Sequence, residues 1–121
     1  MGRTPLVAIV DDEIDLVNIL KMGFTKRGIP IAFVAYNGIE AVERFKQADT
    51  KPDVILMDYR MPGLDGFEAA RQILAISPQV KIIFLTGYGI DKKEALKSGA
   101  IAIIKKPASL NVLVNAVCNA A

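Results

Sequence analysis

Five short apolar runs punctuate the chain, and each is followed by a stretch whose apolar residues return every three or four positions. The runs are residues 6–10 (LVAIV), 31–36 (IAFVAY), 54–57 (VILM), 81–85 (KIIFL) and 101–104 (IAII). Runs this short and β-branched read as strands, and those apolar throughout read as strands buried on both faces, as in a parallel sheet. Between them, Ile14, Val17, Leu20 and Phe24 share one side of a helix that Gly28 ends, and Ile39, Val42 and Phe45 mark a second helix after an Asn37-Gly38 turn. Phe67, Ala70, Ile73 and Leu74 mark a third, which Ser77-Pro78 stops. Residues 91–97 leave room for a helix of only about two turns, and Ser109 is placed to cap a last helix over residues 110–118. Five alternations of strand and helix with short connections predict an α/β domain, a parallel sheet covered by helices on both faces.

A chain of 121 residues suits one domain, expected to span residues 1–121. No apolar run approaches the roughly 20 residues of a membrane-spanning helix, and the apolar run after the first Arg is too short for a secretory signal. The expectation is a cytoplasmic protein with no membrane insertion. Cys118 is the only cysteine and there is no histidine, which excludes an intrachain disulfide, a Cys/His zinc site and Ser/His/Asp catalysis. A net charge of +2, with basic residues scattered along the chain, gives no nucleic-acid footprint, so direct nucleic-acid binding is not expected.

The chemistry collects where the strands end. The carboxyl ends of parallel strands lie along one edge of a sheet, the place where ligands bind in open α/β folds. To that edge the first strand delivers Asp11 and Asp12, the third Asp58, the fourth Thr86, and the fifth Lys105 and Lys106. Crowded carboxylates repel one another and their pKa values rise unless a cation compensates them. Hard oxygen donors without His or Cys point to Mg²⁺. A metal, a carboxylate, a hydroxyl and an ammonium together can handle a phosphoryl group: the cations neutralise its oxygens, the hydroxyl donates to one, and the carboxylate serves as in-line nucleophile. Singly, each has a plainer explanation. Asp58 could start the Met61-Pro62-Gly63 turn, the acidic run could favour a helix N-terminus, and Thr is at home in a strand. It is their coincidence at one edge that argues for a site.

The same residues carry a resemblance. The chain resembles, over essentially its whole length, the receiver domain of two-component response regulators (the CheY-like superfamily). That family's acidic pair after strand one, acceptor Asp after strand three, Thr or Ser after strand four and Lys-Pro after strand five match Asp11-Asp12, Asp58, Thr86 and Lys106-Pro107, and Met61-Pro62 and Asp65-Gly66 match its acceptor loop. The resemblance implies a flavodoxin-like five-stranded sheet of order 2-1-3-4-5. It implies that Asp58 takes a phosphoryl group from a phosphohistidine, on a sensor histidine kinase or phosphotransfer protein, and that a downstream protein target reads the result. Asp12 and Asp58 would hold Mg²⁺ with the backbone carbonyl of Arg60, Asp11 helping directly or through water. Lys106 would pair with one phosphate oxygen and Thr86 would move to meet another, with Lys105 a bystander. The Lys106-Pro107 bond is often cis in the family. Beyond its own phosphoryl transfer and slow autodephosphorylation, influenced by Arg60 and Tyr88, no catalysis is implied.

Three features depart from the family pattern. Ile103 stands where an aromatic residue on the fifth strand commonly turns inward, the fourth helix looks about two residues short, and residues 108–121 carry no charged side chain. The last makes the face built from the fourth helix, fifth strand and fifth helix a candidate surface for a partner or for a homodimer. Two other functions fit the residues less well. A phosphohydrolase of the haloacid dehalogenase kind needs a second Asp two residues after the first, where this chain has Arg60, and a phosphate-independent receiver-like binding module leaves the complete acceptor set without a purpose.

Overall fold

The computed structural model describes residues 4–87 and 89–121. Its elements are β1 (Val7–Val10), α1 (Ile14–Lys26), β2 (Ile31–Ala35), α2 (Gly38–Gln47), β3 (Val54–Met57), α3 (Gly66–Ile76), β4 (Lys81–Thr86), α4 (Lys92–Lys97), β5 (Ala102–Lys105) and α5 (Leu110–Ala120). The five strands form one parallel sheet in the order β2-β1-β3-β4-β5, as the resemblance implied.

Central β1 and β3 are buried at every position, and because strand side chains alternate, they feed two apolar layers. Ala8, Val10, Ile55, Met57, Ile82 and Phe84 meet Ala41, Phe45, Ala70 and Ile73 on one face. Val7, Ile9, Val54, Leu56, Ile83 and Leu85 meet Val17, Leu20, Phe24, Leu113 and Val117 on the other. Each fully buried Val, Leu or Ile contributes roughly 1.5–3 kcal/mol, so these runs must face helices on both sides.

The expected boundaries hold to within two residues, with explicable differences. β2 closes one residue early because the Tyr36 N–H donates to Glu40 Oε1 at 3.1 Å. Asn37 is the N-cap of α2 rather than a free turn residue, its Oδ1 accepting from the Glu40 N–H at 2.8 Å. Ile14 and Ile39, which fit the apolar period of their helices, are 59% and 54% exposed; each stands in the first turn of its helix, at the sheet's edge rather than over its face. Gly28 ends α1 with φ +77°, a conformation that suits glycine. α4 is short, as expected, at six residues.

Candidate functional site

Backbone pairing continues one residue beyond three of the strands. The N–H of Asp11 donates to the Ala35 carbonyl at 3.0 Å, that of Asp58 to Val10 at 2.8 Å, and that of Lys106 to Thr86 at 2.8 Å. Val10 lies opposite Met57, so the next residues on those strands, Asp11 and Asp58, stand side by side at the sheet edge. The loop after Asp58 is held close by α3, whose first residue donates through the Gly66 N–H to the Tyr59 carbonyl at 3.0 Å. A Cβ at Gly66 would lie 2.8 Å from Tyr59 Cα and 2.9 Å from the Asp58 carbonyl oxygen, so only glycine lets the helix approach this closely.

Asp11, Asp12 and Asp58 each present a carboxylate oxygen, and these atoms lie within 4.8 Å of one another. Asp11 and Asp58 are buried, while Asp12 is exposed. Lys106 closes the group: its Nζ is 2.9 Å from Asp11 Oδ2, 2.8 Å from Glu13 Oε1 and 3.7 Å from Asp58 Oδ2. Asp11 Oδ1 accepts from the Glu13 N–H at 2.9 Å. Its buried Oδ2 touches Lys106 as an ion pair but receives no well-directed hydrogen bond. Asp58 Oδ1 accepts a long bond, 3.3 Å, from the Arg60 N–H.

Burial raises the pKa of Asp58 to about 6, with the Asp11 charge adding to the rise and Lys106 opposing it. Asp11 is also raised, again first by burial, against the pull of Lys106 and the Glu13 N–H. Crowding of like charges was the cause expected from the sequence; loss of solvent is the larger one. Burial works against the Lys106 ammonium too, but its ion pairs with Asp11 and Glu13 outweigh that and hold its pKa above the ordinary lysine value. Two buried carboxylates that favour protonation, an exposed third beside them and a buried oxygen lacking a directed donor are a donor set suited to a hard divalent cation.

Asp12, Glu13, Asp58 and Lys106 open onto a cleft of about 580 Å³ whose walls include Tyr59, Arg60, Met61, Pro62 and Gly87, with Asp11 buried behind them. Thr86 ends β4 next to that wall but is only 1% exposed and does not line the cleft. Lys105 is exposed on β5, outside the cleft. The Lys106-Pro107 peptide is cis. Ile103 is half-buried opposite Phe84, in the layer that α4 joins through Ala95. Tyr88 lies outside the described residues. Glu13 was not among the residues singled out from the sequence. Its signal was present, as the third acid after Asp11 and Asp12, but it read as part of a helix start.

The chain matches the family model described as response regulator receiver domain over residues 7–118. It is 41% identical over 109 residues to chemotaxis protein CheY of Thermotoga maritima, covering 88% of each chain. With sporulation initiation phosphotransferase F of Bacillus subtilis it shares 31% identity over 113 residues, 92% of this chain and 89% of the relative. Among solved structures it resembles the CheX-CheY-BeF3-Mg complex from Borrelia burgdorferi with a TM-score of 0.87 and 29% identity, covering 96% of this chain and 89% of that one.

Proposed function

The chain belongs to the response regulator receiver domain family, the phosphoacceptor switches of two-component signalling, and from that premise we propose that Asp58 is its phospho-acceptor. The observation that carries the assignment is the position of Asp58: a buried carboxylate at the end of the central strand β3, facing an open cleft, with Lys106, Asp11 and Asp12 converging on it. In the transfer, an Asp58 oxygen attacks the phosphorus of a phosphohistidine. The P–O bond forms as the P–N bond breaks, and the electron pair of that bond leaves with the imidazole. Attack by water on the resulting acyl phosphate returns the carboxylate and inorganic phosphate, the slow autodephosphorylation expected of this chain. The protein is a signalling protein rather than a classical enzyme.

Asp12, Asp58 and the backbone carbonyl of Arg60 would hold Mg²⁺, with Asp11 contributing directly or through water. Bound there, Mg²⁺ supplies neutralisation of the transferring oxygens. Lys106 is the residue that meets one phosphoryl oxygen, its ammonium lying 3.7 Å from Asp58 Oδ2. Thr86 meets another after moving out from its buried position. The Arg60 side chain, on the cleft wall, tunes access of water to the acyl phosphate.

The donor is a sensor histidine kinase or a phosphotransfer protein, and the output is contact with a downstream protein. Leu96, Ile101 and Val112 are 59%, 47% and 49% exposed on α4, just before β5 and on α5, which supports the α4-β5-α5 face as the surface read by a partner or a second copy. We take residues 1–121 as one receiver domain working in the cytoplasm without membrane insertion or nucleic-acid contact of its own; no helix among the described residues is long and apolar enough to cross a membrane.

Incubation with acetyl phosphate and Mg²⁺ tests the assignment. Wild-type protein is expected to gain one base-labile, hydroxylamine-sensitive phosphoryl group and Asp58→Asn none, with its fold intact by circular dichroism. Labelling of Asp58→Asn at the wild-type level places the phosphate elsewhere. Sedimentation with and without beryllofluoride tests the face, a monomer in both states removing the homodimer.

A further inference from the structure

α1 differs from the other four helices in how it begins. Asn37, Asp65, Asp91 and Ser109 each accept a hydrogen bond from the first turn of the helix they precede. Glu13, in the same position before α1, makes no such bond with its side chain. The carboxylate turns instead across the mouth of the cleft to Lys106 Nζ, at 2.8 Å and 93 residues away in sequence.

We propose that Glu13 is a positioning residue that competes with the phosphoryl group for Lys106. This rests on the assignment of Asp58 as acceptor and Lys106 as the cation that receives a phosphoryl oxygen. An ammonium offers three N–H donors. Asp11 and Glu13 take up the charge of Lys106 at 2.9 and 2.8 Å, and the Asp58 oxygen is left at 3.7 Å, beyond hydrogen-bond reach. An anion arriving on Asp58 therefore meets a cation already neutralised by two carboxylates. Of these, Glu13 yields first. Its side chain is 61% exposed and returns to water at little loss, whereas Asp11 is 3% exposed. The exchange of Glu13 for a phosphoryl oxygen links acceptor occupancy to the first turn of α1, so the unphosphorylated state has a contact of its own to lose.

The test is titration of the holo protein, at saturating Mg²⁺, with beryllofluoride followed by amide shifts of the Asp58 loop. Glu13→Gln is expected to bind the analogue about two- to fivefold more tightly than wild type, the scale of a half-exposed ion pair. Asp15→Asn removes an exposed acid from the same turn without touching Lys106 and is expected to leave the affinity unchanged. A merely structural role for Glu13 would weaken the analogue and Mg²⁺ together; only loss of a competitor tightens the analogue while Mg²⁺ affinity stays level or falls. Equal or weaker binding by Glu13→Gln overturns the proposal, as does an equal gain in Asp15→Asn, which would reduce the effect to net charge. Failure of wild-type protein to bind the analogue at all, or undiminished binding by Asp58→Asn, overturns the acceptor assignment instead.

Discussion

The Lys106 ammonium stands 2.9 Å from Asp11 Oδ2 and Asp11 is buried, so the best-placed cation of the cleft is anchored to an acid other than the proposed acceptor. Removing the anchor's cation leaves a buried carboxylate with the Glu13 N–H but no countercharge. Lys106→Met is expected to destabilise the metal-free protein by about 3 kcal/mol at pH 7, the lower end for breaking a buried pair. Asp11 takes up a proton as the pH falls, so the loss should shrink towards pH 4. Urea denaturation in EDTA at the two pH values measures it.

Asp58 carries a second electrostatic consequence. Its pKa is about 6 in the folded protein against 3.8 ordinarily. The folded state therefore binds the proton more tightly than the unfolded state between those values, and stability contributed by this group falls as pH rises through the window. Above pH 6 the ionised, desolvated carboxylate is a liability on the order of 3 kcal/mol. Asp58→Asn should accordingly be more stable than wild type at pH 7 in EDTA and lose that advantage near pH 4. A thermal melt in which Asp58→Asn is no more stable at pH 7 would contradict the burial-driven shift.

A divalent cation held by these carboxylates would compete with protons for them. Adding Mg²⁺ at pH 7.5 is expected to raise the melting temperature, by about 3 kcal/mol of stabilisation at a hundredfold excess over Kd. The rise should be much smaller at pH 5, where Asp58 is mostly protonated. Asp12→Asn should weaken the effect at both pH values with little change in metal-free stability, since Asp12 is exposed.

Gly66→Ala tests the packing that sets the loop after Asp58. The added methyl meets backbone at Tyr59 and Asp58, which cannot swing aside as a long side chain could. A loss of about 1–3 kcal/mol is expected, together with slower labelling by acetyl phosphate, because α3 must back away from the loop that follows Asp58. Unchanged stability and labelling would show that the close approach is dispensable.

Most of the fold was legible in the order of residues. VAIV and VILM have no polar position, so each had to be a strand covered on both faces, and Ser109 could be assigned as a cap because its hydroxyl bonds only three residues on. The errors came from position along an element. Ile14 and Ile39 fit the apolar period of their helices, yet a first turn that begins at the sheet edge has no layer beneath it. Of the site, Asp11, Asp12, Asp58 and Lys106 were readable as strand-end residues, and they converge in space. Thr86 was readable too, but not that it lies buried beside the cleft rather than in its wall.

The sequence by itself determined the alternation of strands and helices and the kinds of groups that end each strand, because both depend on residues only a few positions apart. Side-chain periodicity sorts faces, and a polar residue directly after an apolar run must lie at the strand's end. Tertiary structure decided the rest. Pairing of β1 with β3 set Asp11 beside Asp58, burial rather than mutual repulsion became the main cause of their raised pKa values, and Glu13 was carried across 93 residues to Lys106. Those outcomes depend on distance in space and on the water displaced by packing, and neither is written in the local order of the chain.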